Sequence, residues 1–272
     1  MSEAPVVSIV MPSFNSARFI RAAIDSVLQQ RLQDWELLVV DGGSSDNTRQ
    51  IVAHYSDADP RVRWVVNPDD KGPAHARSTG IRHARGDYVA FLDGDDLWLR
   101  NKLSDQVDFM RRTKTDFTYA QYRVINSQGT EASCAMTVHP QYGFWSALAL
   151  RGIATLTVVA KRSLFSEEIL NTYGLSHGED YLWWLMILRR GTCARGLMKP
   201  LALYRDVESS LSKRRWKHQL SVWRTYRVDL RLPASIAALA YVTYMLDVVV
   251  RRLRCSLCTK VRGSIPVREV LT

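Results

Sequence analysis

The sequence predicts an α/β fold: a mostly parallel sheet flanked by helices, followed by a basic helical extension. Three observations predict it. Short apolar runs alternate with amphipathic segments over roughly the first hundred residues, the pattern of repeated strand–helix units that builds a parallel, doubly covered sheet. These runs are apolar at almost every position, as strands buried on both faces are. Three of them end in polar clusters, at residues 12–15, 41–46 and 93–96, and such sheets bind ligands beyond the carboxyl ends of their strands.

Each element follows from its pattern. Residues 6–11 form the first strand. Residues 17–30 read as a helix with Ile20, Ala23, Ile24, Val27 and Leu28 on one face. Residues 35–40 are the second strand, and the turn at 41–46 leads into a helix whose inner face carries Thr48, Ile51, Val52 and Tyr55. A strand at 62–66 and a helix at 73–84 precede the strand that ends at Asp93, and a helix follows from 101 to about 113. From Asp116 the pattern loosens. Strands are expected at 117–124 and 155–160, helices at 179–190 and 213–231, and an extended segment at 197–204. Residues 234–252 read as an apolar helix interrupted by Asp247.

Composition excludes a disordered or fibrous chain: of 272 residues, 46% are hydrophobic and 24% charged. Ser2, Glu3, Ala4 and Pro5 form no basic region, so no secretory leader is expected. The formal net charge of +10 is uneven: residues 189–272 hold 18 basic and 5 acidic side chains, against 19 and 22 in residues 1–188. A basic appendage on a near-neutral body points to an anionic membrane surface, a phosphate-bearing substrate or nucleic acid. Cys134, Cys193, Cys255 and Cys258 suggest no disulfide framework. The lone Cys255-x-x-Cys258 pair is read as two reduced thiols, half a zinc site at most.

The stretch from Tyr88 to Trp98 carries the strongest chemical signal. A buried strand stops at Asp93, Gly94, Asp95 and Asp96. Three carboxylates at one strand end repel one another unless a cation sits among them. Gly94 lets the backbone approach a ligand closely. Such a tip suits Mg²⁺ or Mn²⁺ held together with substrate phosphates.

Five segments, at residues 7–15, 35–48, 71–81, 91–98 and 178–183, resemble in order and spacing the motifs of the family 2 glycosyltransferases. The resemblance covers roughly residues 6–212. It implies a Rossmann-like GT-A fold and inverting transfer of one sugar from a nucleotide-diphosphate sugar to an acceptor hydroxyl, in surface polysaccharide or glycolipid synthesis. It divides the chain into a transferase domain at 1–212, with a nucleotide-binding half to about 115 and an acceptor-binding half from 116, and an extension at 213–272. Asp95 matches the metal-binding aspartate, and Asp93 completes the Asp-x-Asp pair reaching ribose and metal, with Asp96 behind them. Asp180 matches the general base, and burial beside Trp183 and Trp184 would suit it to accept a proton; by residue type alone it would cap its helix. Glu179, His177 and Trp183 are expected at the acceptor. Pro12, Ser13 and Phe14 flank the base of the nucleotide, Asp41 accepts from a base N–H, and Arg77 and Gly94 lie near the donor.

Two departures from the family pattern matter. Many relatives carry two aspartates before the Gly-Ser turn; here Gly42 follows Asp41, which leaves uridine, guanosine and thymidine donors open. Val207 stands where a histidine is frequent. Arg205 and Arg214, with Lys213 and Arg215, are the candidates for the diphosphate, because guanidinium groups pair with phosphates. The Gln-x-x-Arg-Trp signature of processive synthases is absent, so single-sugar transfer is expected.

The tail from Leu232 to Val250 makes a poor membrane span, since it contains Asp247, Ser235 and Thr243. Either it packs on the body or on a second subunit, or it lies in the plane of a membrane with Tyr241 and Tyr244 at the interface. Peripheral attachment to the cytoplasmic face of the inner membrane, near a lipid-linked saccharide acceptor, explains the basic flanks. A nucleotidyltransferase is the alternative within enzymes, yet the loop after the first strand lacks the glycines such enzymes use. No nucleic-acid-binding module is recognisable, so nucleic acid is not expected as a partner.

Overall fold

The computed structural model describes residues 4–67, 72–150, 152–172, 178–207 and 215–271. The first half alternates as expected: β1 (Val7–Ser13), α1 (Ile20–Leu28), β2 (Trp35–Asp41), α2 (Thr48–Ala58), β3 (Val62–Val66), α3 (Pro73–His83), β4 (Tyr88–Phe91), β5 (Leu97–Trp98) and α4 (Lys102–Thr113). The second half holds β6 (Phe117–Ile125), β7 (Glu131–Ala132), β8 (Gln141–Tyr142), α5 (Phe144–Ala149), β9 (Val159–Lys161), α6 (Glu167–Leu170), α7 (Glu179–Arg189) and β10 (Ala194–Arg205). After it come α8 (Arg215–Arg224), α9 (Ala234–Arg262), β11 (Ile265–Pro266) and α10 (Val267–Leu271).

One sheet runs through the molecule in the order β11-β7-β6-β9-β4-β1-β2-β3, with β10 beside β6. β3, β2, β1 and β4 are parallel, and β9 enters antiparallel between β4 and β6. The expected strand at 155–160 begins instead as a 3₁₀ turn at Thr155–Thr157. Alternate residues of a strand face opposite sides. Val10, Leu38 and Phe91 therefore enter one core, and Ile9, Leu37 and Ala90 the other. Both sides are covered, which is why these strands read as unbroken apolar runs.

The C-terminal segment does not stand apart as a basic appendage. Tyr226, Leu230, Ala237, Ala240 and Tyr244 share a core with Trp184 and Leu188 of α7. Burying Tyr226 and Tyr244 contributes about 2 kcal/mol each. β11 pairs with β7, and a disulfide joins Cys134 to Cys258 across 124 residues. This corrects the expectation of reduced thiols: residues this distant in sequence meet only because α9 folds back along the body.

Candidate active site

Parallel register aligns the strand ends. Ser13 lies beside Asp41, and Asp41 beside Val66. The Asp41 carboxylate organises its own turn: Oδ2 accepts from the amides of Gly43 (3.1 Å) and Ser44 (2.9 Å), and Oδ1 accepts from the Ser44 hydroxyl (2.5 Å). Both oxygens thus serve the turn rather than standing open for a nucleobase. The first two strand ends are stitched together. Asn15 Oδ1 accepts from the Ser45 amide (2.9 Å), and Asp46 Oδ2 from the Ala17 amide (3.0 Å). Phe14 stays 59% exposed beside this platform, while Ser13 is buried. Among the described residues Ser13 Oγ and Asn67 Nδ2 are buried without a partner, so a ligand that bonds there relieves a desolvation cost of about 1–3 kcal/mol each.

The acidic loop after β4 is fastened from behind. Asp96 is buried, and its Oδ1 accepts from the Arg205 amide (2.8 Å). Burial first, then the charges of Asp95 and Asp93, raise the Asp96 carboxyl. Arg205 Nε donates to the Asp95 carbonyl (2.7 Å), and Nη1 to that of Ser127 (3.3 Å). Arg205, expected at the diphosphate, therefore has its guanidinium engaged in shaping this loop. A Cβ on Gly94 would stand 3.2 Å from Ser16 Oγ, a tight approach that the Ser16 side chain would have to relieve by a small shift. Burial and the adjacent Asp93 charge push the Asp95 carboxyl up to about 6.

Arg77 links this loop to the other half. It projects from α3, buried, and Nη2 donates to Asp93 Oδ1 (2.6 Å) while Nη1 donates to Glu179 Oε1 (2.6 Å). Burial opposes its charge, but Asp93 and Glu179 outweigh it, so the guanidinium pKa rises. On Glu179 burial prevails over the attraction of Arg77, with Asp180 adding to it, and the carboxyl moves up to about 7.

α7 starts at Gly178, whose φ of 79° lies in the left-handed region that glycine tolerates. The next two acids then face different surroundings. Glu179 is buried; Asp180 is partly exposed. Asp180 Oδ2 accepts from Thr155 Oγ1 (2.5 Å), and Oδ1 from the Tyr181 amide (2.8 Å). Asp180 also lines a cavity of about 40 Å³ with Leu150, Ile153, Tyr181, Trp184 and Tyr244. A second concavity, about 660 Å³, lies away from the strand ends, against Asp105, Arg112 and Lys199, and brings no catalytic constellation together.

Three sequence expectations change. Trp183 is fully buried, with Nε1 donating to Thr172 Oγ1 (2.7 Å); it is a core residue and meets no acceptor. Glu179 faces Arg77 rather than an acceptor. Of the two acids it is Glu179 that is buried, while Asp180 stays partly exposed beside Trp184. His177 and Arg214 lie outside the described residues. Sequence reasoning missed Thr155 and Asn67, each an isolated polar residue in a segment without a motif.

The acidic loop suits a hard divalent cation. Asp95 carries an acid raised by burial and by Asp93, a charge imbalance that a cation corrects. Among the described residues no three His, Cys, Asp or Glu side chains converge on a metal position.

Parallel strand ends, an acidic loop and a helix-borne acid thus meet across a buried arginine. Glycosyl transferase family 2 matches residues 8–174, more than half of the chain. The E. coli UDP-Glc:alpha-D-GlcNAc-diphosphoundecaprenol beta-1,3-glucosyltransferase WfgD is 36% identical over 247 residues, covering 90% of this chain and 92% of its own. TuaG of Bacillus subtilis (strain 168), assigned to teichuronic acid biosynthesis, is 33% identical over 92% of this chain and 98% of its own. The mannosyltransferase PcManGT of Pyrobaculum calidifontis, solved with GDP-Man and Mn²⁺, has the same fold at a TM-score of 0.64, with 19% identity over 99% of this chain and 79% of its own. The chain belongs to the family 2 glycosyltransferases and has the GT-A fold. It is a nucleotide-sugar glycosyltransferase.

Proposed function

We propose that this enzyme transfers a hexose from a uridine diphosphate sugar to a saccharide carried on a polyprenyl diphosphate, at the cytoplasmic face of the inner membrane. The observation that carries the reading of the site is the bridge Asp93–Arg77–Glu179, which sets the acidic loop beside Asp180. The donor and acceptor classes are supported by the activity of WfgD, which matches nearly this whole chain.

Asp95 and Asp93 are the residues to hold Mg²⁺ or Mn²⁺, which when bound supplies Lewis-acid neutralisation of the diphosphate. Asp180 takes the proton from the acceptor hydroxyl. Thr155 and the Tyr181 amide fix its carboxylate for that transfer. Acceptor attack on the face opposite the leaving diphosphate inverts the anomeric centre in one displacement. Pro12, Ser13, Phe14 and Asn67 frame the nucleotide, and Arg77 holds the Asp93 side chain in place.

The test pairs thermal shifts with a transfer assay. A ligand that binds only the folded state raises its melting temperature. UDP-glucose with Mn²⁺ is expected to raise it, and labelled glucose to pass to a polyprenyl-diphosphate-linked N-acetylglucosamine. A shift with GDP- or dTDP-sugars alone overturns the uridine assignment; release of pyrophosphate from a nucleoside triphosphate would instead establish a nucleotidyltransferase.

A further inference from the structure

α9 has two unlike faces. Ala237, Ala240 and Tyr244 are buried, and Tyr241, Met245 and Val248 pack beside them. On the opposite side Leu239, Val242, Leu246, Val249, Leu253 and Leu257 are 50–68% exposed. Their spacing of three or four residues keeps them on one stripe, about 27 Å long at the helical rise. The preceding segment adds exposed Leu220, Trp223 and Val228, and the Trp223 ring meets that of Tyr241, at the edge of the packed face, at 5.7 Å. A patch this large marks an interaction surface.

We propose that this stripe seats the enzyme in the plane of an anionic bilayer surface. Charge decides the occupant. Residues 189–272 carry 18 basic against 5 acidic side chains, and Arg224, Arg231 and Arg254 are exposed around the stripe. A second copy would bring two such tails together and repel; lipid phosphates attract them. Length and composition alone would let residues 234–258 cross a membrane. The buried inner face prevents it, because that face is already packed against the protein core, and Arg251 and Arg254 would each cost about 3 kcal/mol at bilayer depth. Tyr244 on the inner face meets the Tyr181 ring at 5.7 Å and lines the cavity beside Asp180. Through this ring contact the seated helix touches the helix that carries Asp180. This extends the reading of a lipid-borne acceptor, but its test uses no acceptor.

The full chain is floated with phosphatidylcholine vesicles containing about one third phosphatidylglycerol, and with phosphatidylcholine alone. Binding to the anionic vesicles is expected to be about tenfold or more stronger, and to fall at about 0.5 M salt. Leu246→Glu and Leu239→Glu lower it about tenfold at unchanged melting temperature, while Val66→Glu, a control at an exposed apolar residue of β3, leaves it unchanged. Failure of the parent chain to float with anionic vesicles, or undiminished flotation of both stripe variants, overturns the proposal. So does a dimer in sedimentation that Leu246→Glu splits while vesicles are ignored.

Discussion

Arg77 Nη1 stands 2.6 Å from Glu179 Oε1, though the two residues are 102 positions apart. The same guanidinium holds Asp93, so one buried cation joins the donor loop to the acceptor-side helix. Removing one partner of a buried charge pair leaves the others uncompensated. Arg77→Met is expected to lower unfolding stability by about 3–5 kcal/mol, measured by urea titration. Adding Glu179→Gln should return part of that loss, because the orphaned charge disappears; additive losses would show that the bridge carries no coupling.

Asp180 and Thr155 separate chemistry from binding. Asp180→Asn is expected to lower kcat by about 10²-fold or more while donor binding persists, the scale of lost general-base catalysis. Thr155→Val frees the Asp180 carboxylate from a 2.5 Å hydrogen bond, and about tenfold in kcat is expected from lost orientation, with an unchanged donor Kd. Equal loss of donor affinity in either variant would count against these roles.

Asp95→Ala should abolish the Mn²⁺-dependent part of the thermal shift given by UDP-glucose, while the ligand-free melting temperature stays close to that of the parent. Chelation with EDTA should do the same to the parent protein. A metal-dependent shift that survives in Asp95→Ala places the ion elsewhere.

Acid sensitivity should trace to Glu36. Burial pushes its carboxyl up, but Ser8, the Arg85 amide and Arg63 together win, and its pKa falls below the usual 4.5. Ser8 Oγ and Arg63 Nη1 donate to it at 2.7 and 2.8 Å. A carboxyl lowered in the folded state adds stability above its unfolded pKa, and that stability disappears as pH falls through the folded value. Glu36→Gln is expected to cost about 2 kcal/mol at pH 7 and to flatten this dependence below about pH 4.5, followed by denaturant titration across pH.

The candidate acids were legible because strand ends and acidic turns are local in sequence. Asp93, Asp95 and Asp180 stand out in short segments, and the sheet sets the first two in the loop after β4, near the end of β1. The rest depended on how α7 is rotated. Adjacent side chains on a helix point about 100° apart, so packing against the sheet chose Glu179 for the interior and left Asp180 partly open. The same rotation buried Trp183. Arg205 was read as a free cation because nothing local shows that its guanidinium reaches the carbonyls of Asp95 and Ser127.

The sequence by itself determined the strand–helix order, the family and the acids to be tested for the chemistry, because periodicity and turn residues act over a few positions. Tertiary structure alone decided that Arg77 bridges two distant carboxylates, that Cys134 meets Cys258, and that the C-terminal helix joins the core with one face left bare. Those outcomes depend on chain segments more than a hundred residues apart settling against the same sheet, and close packing, rather than local preference, selects which side chains they share.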